Sequence, residues 1–346
     1  MTHHRHRSNE DREDPGALLA AVPHLIGYYP SESLIVLTFH NVHTRPELVA
    51  GILVDLPDPD GYDHTIAKLI TPLLADPEIS GVIAIITTPT RTDEDLPHRE
   101  LVTRLAHECG EISVPVLQAL WTPGFRTDAP WISYADPLSS GTIDDPTASP
   151  FALASMVAGE TTYSSRDEVV NLLQSRCDEA TAARWNAELD SLTEHSLNDT
   201  GSDRQDVERQ LVLDTIVALH HGGEVTESVL IRVLHAIGDV EVRDAVLSTA
   251  LGRYSRAAER LWITLIRSAP PCREVVEATV LLAFSAYTRG HGALAAIALE
   301  RALDTDPDHT LTRLLTQATA LGITPDDLAV IAYTTPPGPE TGHTQS

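Results

Sequence analysis

The densest run of potential ligating oxygens is "VDLPDPDGYDH" (54–64), which carries Asp55, Asp58, Asp60 and Asp63. Carboxylates at the carboxyl end of a strand are where open α/β sheets hold ligands, and three or four such oxygens can begin a Mg²⁺ shell. Aspartate is equally favoured in turns and at helix N-caps, which accounts for the same residues without a ligand. Neither G-x-G-x-x-G nor G-x-x-x-x-G-K-[ST] occurs in the chain, so no phosphate-cradling loop accompanies the carboxylates.

Other residues offer different chemistry. Ser33, in "PHLIGYYPSESLIVLTF" (23–39), could act as a nucleophile with His24 or His64 as base. It lacks the G-x-S-x-G elbow that presents such a serine, and "PSES" also reads as a turn. Of the adjacent Tyr28 and Tyr29, one is expected to bury its ring under a sheet and the other to keep its polar tip wet. Trp131 and Tyr134, with Trp121, Phe125 and Arg126, could line a pocket, although aromatics on strands also serve as core. Asp136 opens a polar loop and could join Asp55. Arg166, in "SSRDEV", could bind a phosphate or carboxylate, or pair locally with Asp167 and Glu168. His220 and His221 are adjacent rather than i, i+4, so one helix face does not present both. The ligand-binding candidates are therefore Tyr28, Tyr29, Ser33, Asp55, Trp131, Tyr134, Asp136 and Arg166. No catalytic residue, metal site or cofactor follows from the sequence.

The elements that must position these residues change character along the chain. Residues 17–150 alternate short apolar runs with helical stripes, the mark of an α/β domain with a mixed sheet and flanking helices. "SLIVLTFH" (33–40), "AGILVDLP" (50–57), "GVIAIITT" (81–88), "VPVLQALWT" (114–122) and "PWISYA" (130–135) read as strands. Ile66, Leu69, Ile70, Leu73 and Leu74 form one helical stripe, which Pro72 should kink or shorten. Leu101, Val102, Leu105, Ala106 and Cys109 form another. The expected order is β-β-α-β-α-β-β, followed by a polar loop at 136–150.

Beyond it, residues 151–199 read as connecting helices, 196–204 as a linker and 205–333 as a helical-hairpin domain. Within "LAFSAYTRGHGALAAIALERALDTDP", the positions of Leu282, Ala283, Gly290, Ala295, Leu299, Ala302 and Pro307 have the spacing of a tetratricopeptide helix pair. Thr324 is expected to cap a last helix, with Pro325, Asp326 and Asp327 in its first turn. Residues 1–16 and 334–346 read as disordered tails.

The formal charge is −26, from 50 acidic and 24 basic residues. Such a field repels nucleic acid and anionic membrane surfaces. The three cysteines form no C-x-x-C pair, and their scatter suits neither a disulfide framework nor a zinc cage, so the expected compartment is reducing cytoplasm. "MTHHRHRSNEDREDPG" lacks the apolar segment of a secretory signal, and its histidines sit in no fixed geometry. No apolar run reaches the roughly 18 residues of a bilayer span.

"LLAAVPHLIGYYPSESLIVL", "WISYAD", "SSRDEVV" and "LLAFSAYTRGHGALAAIALERALDTDPDHTLTRLL" together resemble the actinobacterial family called domain of unknown function 4192, over about residues 17–331. The resemblance implies no activity, cofactor or catalytic residue. It leads to an expected second aromatic beside Trp131, where this chain has Pro130, which weakens a stacking pair there. Two functions stay open. One is a non-catalytic cytoplasmic interaction or regulatory module, with a protein partner or self-association through the helical domain. The other is a hydrolase or nucleotide-handling enzyme with an acidic site at the carboxyl edge of the sheet.

Overall fold

The computed structural model describes residues 14–90, 95–158, 160–198, 202–321, 323–324, 327–328 and 330. The two expected tails lie outside them, apart from Asp14, Pro15 and Gly16, which start the first helix. The chain divides into two compact units, Met1–Arg166 and Asp167–Ser346.

In the first unit, α1 (Pro15–Ile26) begins where the Asp14 carboxylate accepts the Gly16 N–H at 2.9 Å, with Pro15 in the first turn. It stops at Gly27, whose φ of 97° is open to glycine, and whose N–H donates to the Pro23 carbonyl. The strands are β1 (Ser33–His40), β2 (Glu47–Asp55), β3 (Ile79–Thr87), β4 (Val116–Thr122), β5 (Pro130–Ser133) and β6 (Ser140–Thr142). They form one mixed sheet in the order β2-β1-β3-β4-β5-β6, in which only β3 and β4 pair in parallel. β1 and β3 lie inside the sheet and are buried almost throughout, which explains their continuous apolar runs.

Helices α2 (Tyr62–Ala75) and α3 (Arg99–Glu111) cover one face, packing Leu69, Leu73, Leu101 and Leu105 on Leu34, Val36, Val82 and Ile86. Pro72 does not shorten α2, which runs on through Ala75. α1 crosses the other face. A Cβ on Gly16 would lie 2.5 Å from the Thr142 carbonyl of β6, and one on Gly51 of β2 would meet Ile26 and Leu37. The polar loop expected at 136–150 contains β6 and the start of α4 (Pro150–Ala158), which packs on α1.

The second unit is helical: α5 (Arg166–Leu172, from the boundary residue), α6 (Glu179–Asn198), α7 (Ser202–His220), α8 (Glu227–Ile237), α9 (Val240–Val246), α10 (Ser255–Ser268), α11 (Arg273–Thr288), α12 (Gly292–Thr305) and α13 (Thr310–Ala320). The expected linker 196–204 is occupied from both ends by α6 and α7. α11 is the central rod, buried continuously from Val275 to Ala286 and packed by α8, α10, α12 and α13. Gly290, at φ 83°, turns the chain between α11 and α12. Thr324 Oγ1 accepts the Asp327 N–H at 3.2 Å, while Pro325 and Asp326 of that expected cap lie outside the described residues.

A buried ionic group ties three of these helices together. Arg243 of α9 donates to Glu277 of α11 at 2.9 Å, and the ring of His309, at the N-cap of α13, lies 3.1 Å from the other Glu277 oxygen. The His309 Nδ1 accepts the Thr312 N–H, so Nε2 carries the proton and donates to Glu277.

Candidate functional site

Strand register sets a line of polar residues at the carboxyl edge of β2, β3 and β4. Asp55 faces Ser33, Ser33 faces Thr87, and Thr87 faces Thr122. Residues paired across strands share a face, so this line lies on the side crossed by α1. Two of its hydroxyls are committed locally: Ser33 Oγ donates to the Ser31 carbonyl at 2.7 Å, and Thr122 Oγ1 to the Gly124 carbonyl at 3.1 Å. Thr87 Oγ1 is buried without a hydrogen-bond partner among the described residues.

On the opposite face of the same edge, Tyr62 and His98 meet. The first residue of α2 and the N-cap of α3 are brought together because both helices start at this edge. The Tyr62 hydroxyl lies 3.1 Å from His98 Nδ1. Nε2 has no hydrogen-bond partner among the described residues. Burial lowers the pKa of the His98 imidazole, against the opposing fields of Glu32 and Asp58. Burial also raises that of the Tyr62 phenol, aided by Glu100. His98 and Glu32 both hold positive φ, 53° and 48°, a conformation that non-glycine residues adopt at a cost and that concentrates at functional positions. A neutral imidazole beside a phenol can accept and relay a proton.

Next to it in α3, Arg99 is held by Asp95 at 2.6 Å and donates to the Tyr134 carbonyl at 3.0 Å. Arg104 bridges Asp63 and Glu100. Among the described residues, no three His, Cys, Asp or Glu side chains group as metal ligands.

The third feature is apolar. Helix α4 buries Ala152 but exposes Leu153 (61%), Met156 (72%) and Val157 (82%). Their i, i+3, i+4 spacing puts them on one face of the helix. An exposed contiguous patch of large apolar side chains marks a contact surface more often than scattered single residues do.

The family model "Domain of unknown function (DUF4192)" matches residues 15–326, nearly the whole chain. The chain belongs to the DUF4192 family. No curated protein and no solved structure matches it. Among the described residues of this DUF4192 chain, no helix is long and apolar enough to cross a membrane.

Several sequence candidates are held apart in the DUF4192 fold. Asp55 ends β2, whereas Asp136 lies beyond β5, and four strand spacings between them amount to about 19 Å. Asp136 instead caps its own turn by accepting the Leu138 N–H. Asp58 precedes a 3₁₀ turn, and Asp63 is in the first turn of α2, paired with Arg104.

Ser33 meets neither proposed base. The His24 ring bonds Thr162 and the Pro146 carbonyl, and His64 is exposed on α2. Tyr28 is buried and bridges to Tyr163, while Tyr29 is half-buried with its ring edge-on to His24.

Trp131 and Tyr134 do not share a pocket. Tyr134 belongs to the core under α2 and α3, where its hydroxyl donates to the Pro97 carbonyl. Trp131 points to the other face, because its neighbour Ile132 pairs with Trp121 of that core, and its ring packs over Gly141. Arg166 is half-buried at the start of α5.

Sequence reasoning missed Tyr62 and His98. The available signal was a histidine at the entry to the helix that follows β3, where parallel strands present ligands.

Proposed function

We propose that this DUF4192 chain is a non-catalytic cytoplasmic interaction module whose partner docks on α4. The observation that carries the reading is the Leu153–Met156–Val157 face. The occupant is a protein with an apolar patch set in a basic surround, because a formal charge of −26 attracts such a partner and repels a second copy of the chain. The helical unit is a weaker place for the contact: α11, the first helix of the expected tetratricopeptide-like pair, is buried from Val275 to Ala286. Three free thiols support a reducing compartment.

Affinity capture with the full chain, compared with the M156D/V157D variant, tests the reading. A basic partner that is lost from the variant and released by roughly 1 M salt, where the Debye length is about 3 Å, supports it. A partner retained by the variant overturns it, as does a wild-type homodimer that the variant abolishes.

A second reading, chemistry on a small molecule at the carboxyl edge of the sheet, is favoured by the Tyr62–His98 contact. A hydrolase or nucleotide-handling role would use His98 to move a proton. Its ring signals, followed by NMR while nucleotides and phosphate esters are added, should shift saturably. Signals that stay in place across the panel set this reading aside.

A further inference from the structure

A cavity of about 320 Å³ lies among α6, α7 and α8, a volume within the range of small-molecule sites. Its apolar wall is Leu192, Val207 and Leu211, and Val207 is 64% exposed, so the wall is open to a ligand. Most of its charge is already satisfied. Arg204 is closed on Glu208 at 2.7 Å and on Asp239 at 2.9 Å, and the His235 ring is held at 2.9 Å by Ser196.

Two lining groups differ. Among the described residues, neither Asp203 nor Arg232 has an ion pair or side-chain hydrogen bond, and both are exposed. One anion and one cation, each unspent, therefore border an apolar wall.

We propose that this cavity binds a free apolar α-amino acid. Arg232 takes the α-carboxylate through its planar fork of donors, Asp203 takes the α-ammonium, and the side chain lies on Leu192, Val207 and Leu211. A ligand with only a carboxylate leaves Asp203 as a repelling charge, and one with only an ammonium leaves Arg232 so. A zwitterion satisfies both. The inference is independent of α4 and of the sheet edge.

Calorimetric titration of the full chain with L-leucine, 4-methylpentanoate and 3-methylbutylamine tests it. The expected result is saturable binding of leucine, with each truncated ligand weaker by at least about 10-fold, the scale of one lost charge-assisted hydrogen bond. R232M should weaken leucine by a similar factor but tighten 3-methylbutylamine, whose ammonium the arginine repels, and D203N should weaken leucine but tighten 4-methylpentanoate. No heat with leucine, isoleucine, valine, methionine or phenylalanine overturns the proposal. So does 4-methylpentanoate binding as tightly as leucine, a comparison that needs no variant to fold.

Discussion

Single residues carry their chemistry through burial and neighbours. Burial pushes the thiol of Cys109 up to about 11 and that of Cys272 up to about 12, with Glu108 and Glu274 adding to the shift. Cys177 is raised as well, first by burial and then by Asp178. A thiol attacks as the thiolate, so all three are poor nucleophiles at neutral pH. Iodoacetamide applied to the folded protein at pH 7 should leave Cys109 and Cys272 unmodified and label Cys177 slowly. Rapid labelling of Cys109 or Cys272, read by mass spectrometry of tryptic peptides, would contradict these environments.

His98 shows why a residue-level signal was hard to read in advance. Its partner Tyr62 is distant in sequence, and only the β2-α2-β3-α3 path returns both helix starts to one edge. Asp55 and Asp136 show the converse. Both have the residue type and the strand-end context of a site, but strand order, which no local pattern encodes, separates them by most of the sheet.

At the scale of elements, strong periodicity made β1 and β3 legible, because strands buried on both faces must be apolar throughout. β6 was not legible. Ser140, Gly141 and Thr142 carry no pattern, and their place follows from distant packing: the Trp131 ring fills the space above Gly141, and α1 presses on Thr142 at Gly16. α4 fell within the expected connecting helices, and its apolar composition did not show that one side would be left uncovered.

In the helical unit, α9, α11 and α13 are joined by Arg243, Glu277 and His309. Burial favours the neutral Glu277 carboxyl, but the hydrogen bonds from His309 and Arg243 outweigh it and hold its pKa below the usual 4.5. A lowered carboxyl pKa contributes stability that is complete above that value and is lost as pH falls through the folded-state value. Urea unfolding should therefore find E277L weaker by about 3 kcal/mol at pH 7, because Arg243 and His309 are left buried beside an apolar group. The gap between wild type and variant should narrow on acidification below about pH 4. Replacing the pair together, as R243M/E277L, should recover much of the loss. A single variant as stable as wild type at pH 7 would contradict the account of this group.

For the whole molecule, the mixed sheet with flanking helices in the N-terminal part and the helical C-terminal part were legible in the change from alternating strands and helices to helices alone. The exposed apolar face of α4 was not, because exposure is a property of the packed chain rather than of its composition. On the proposed reading, the field of a −26 charge favours a basic partner over a second copy, and the exposed apolar face of α4 is where that partner would land.

The measurement that bears most directly on this claim is quantitative capture from a native lysate by the wild-type chain and by M156D/V157D, each first shown to have the same melting temperature. The account predicts one or more basic proteins bound by the wild type, released at high salt, and weakened at least about 30-fold by the variant, as expected for the loss of a central apolar anchor. Equal recovery of the same partners by both proteins would contradict it.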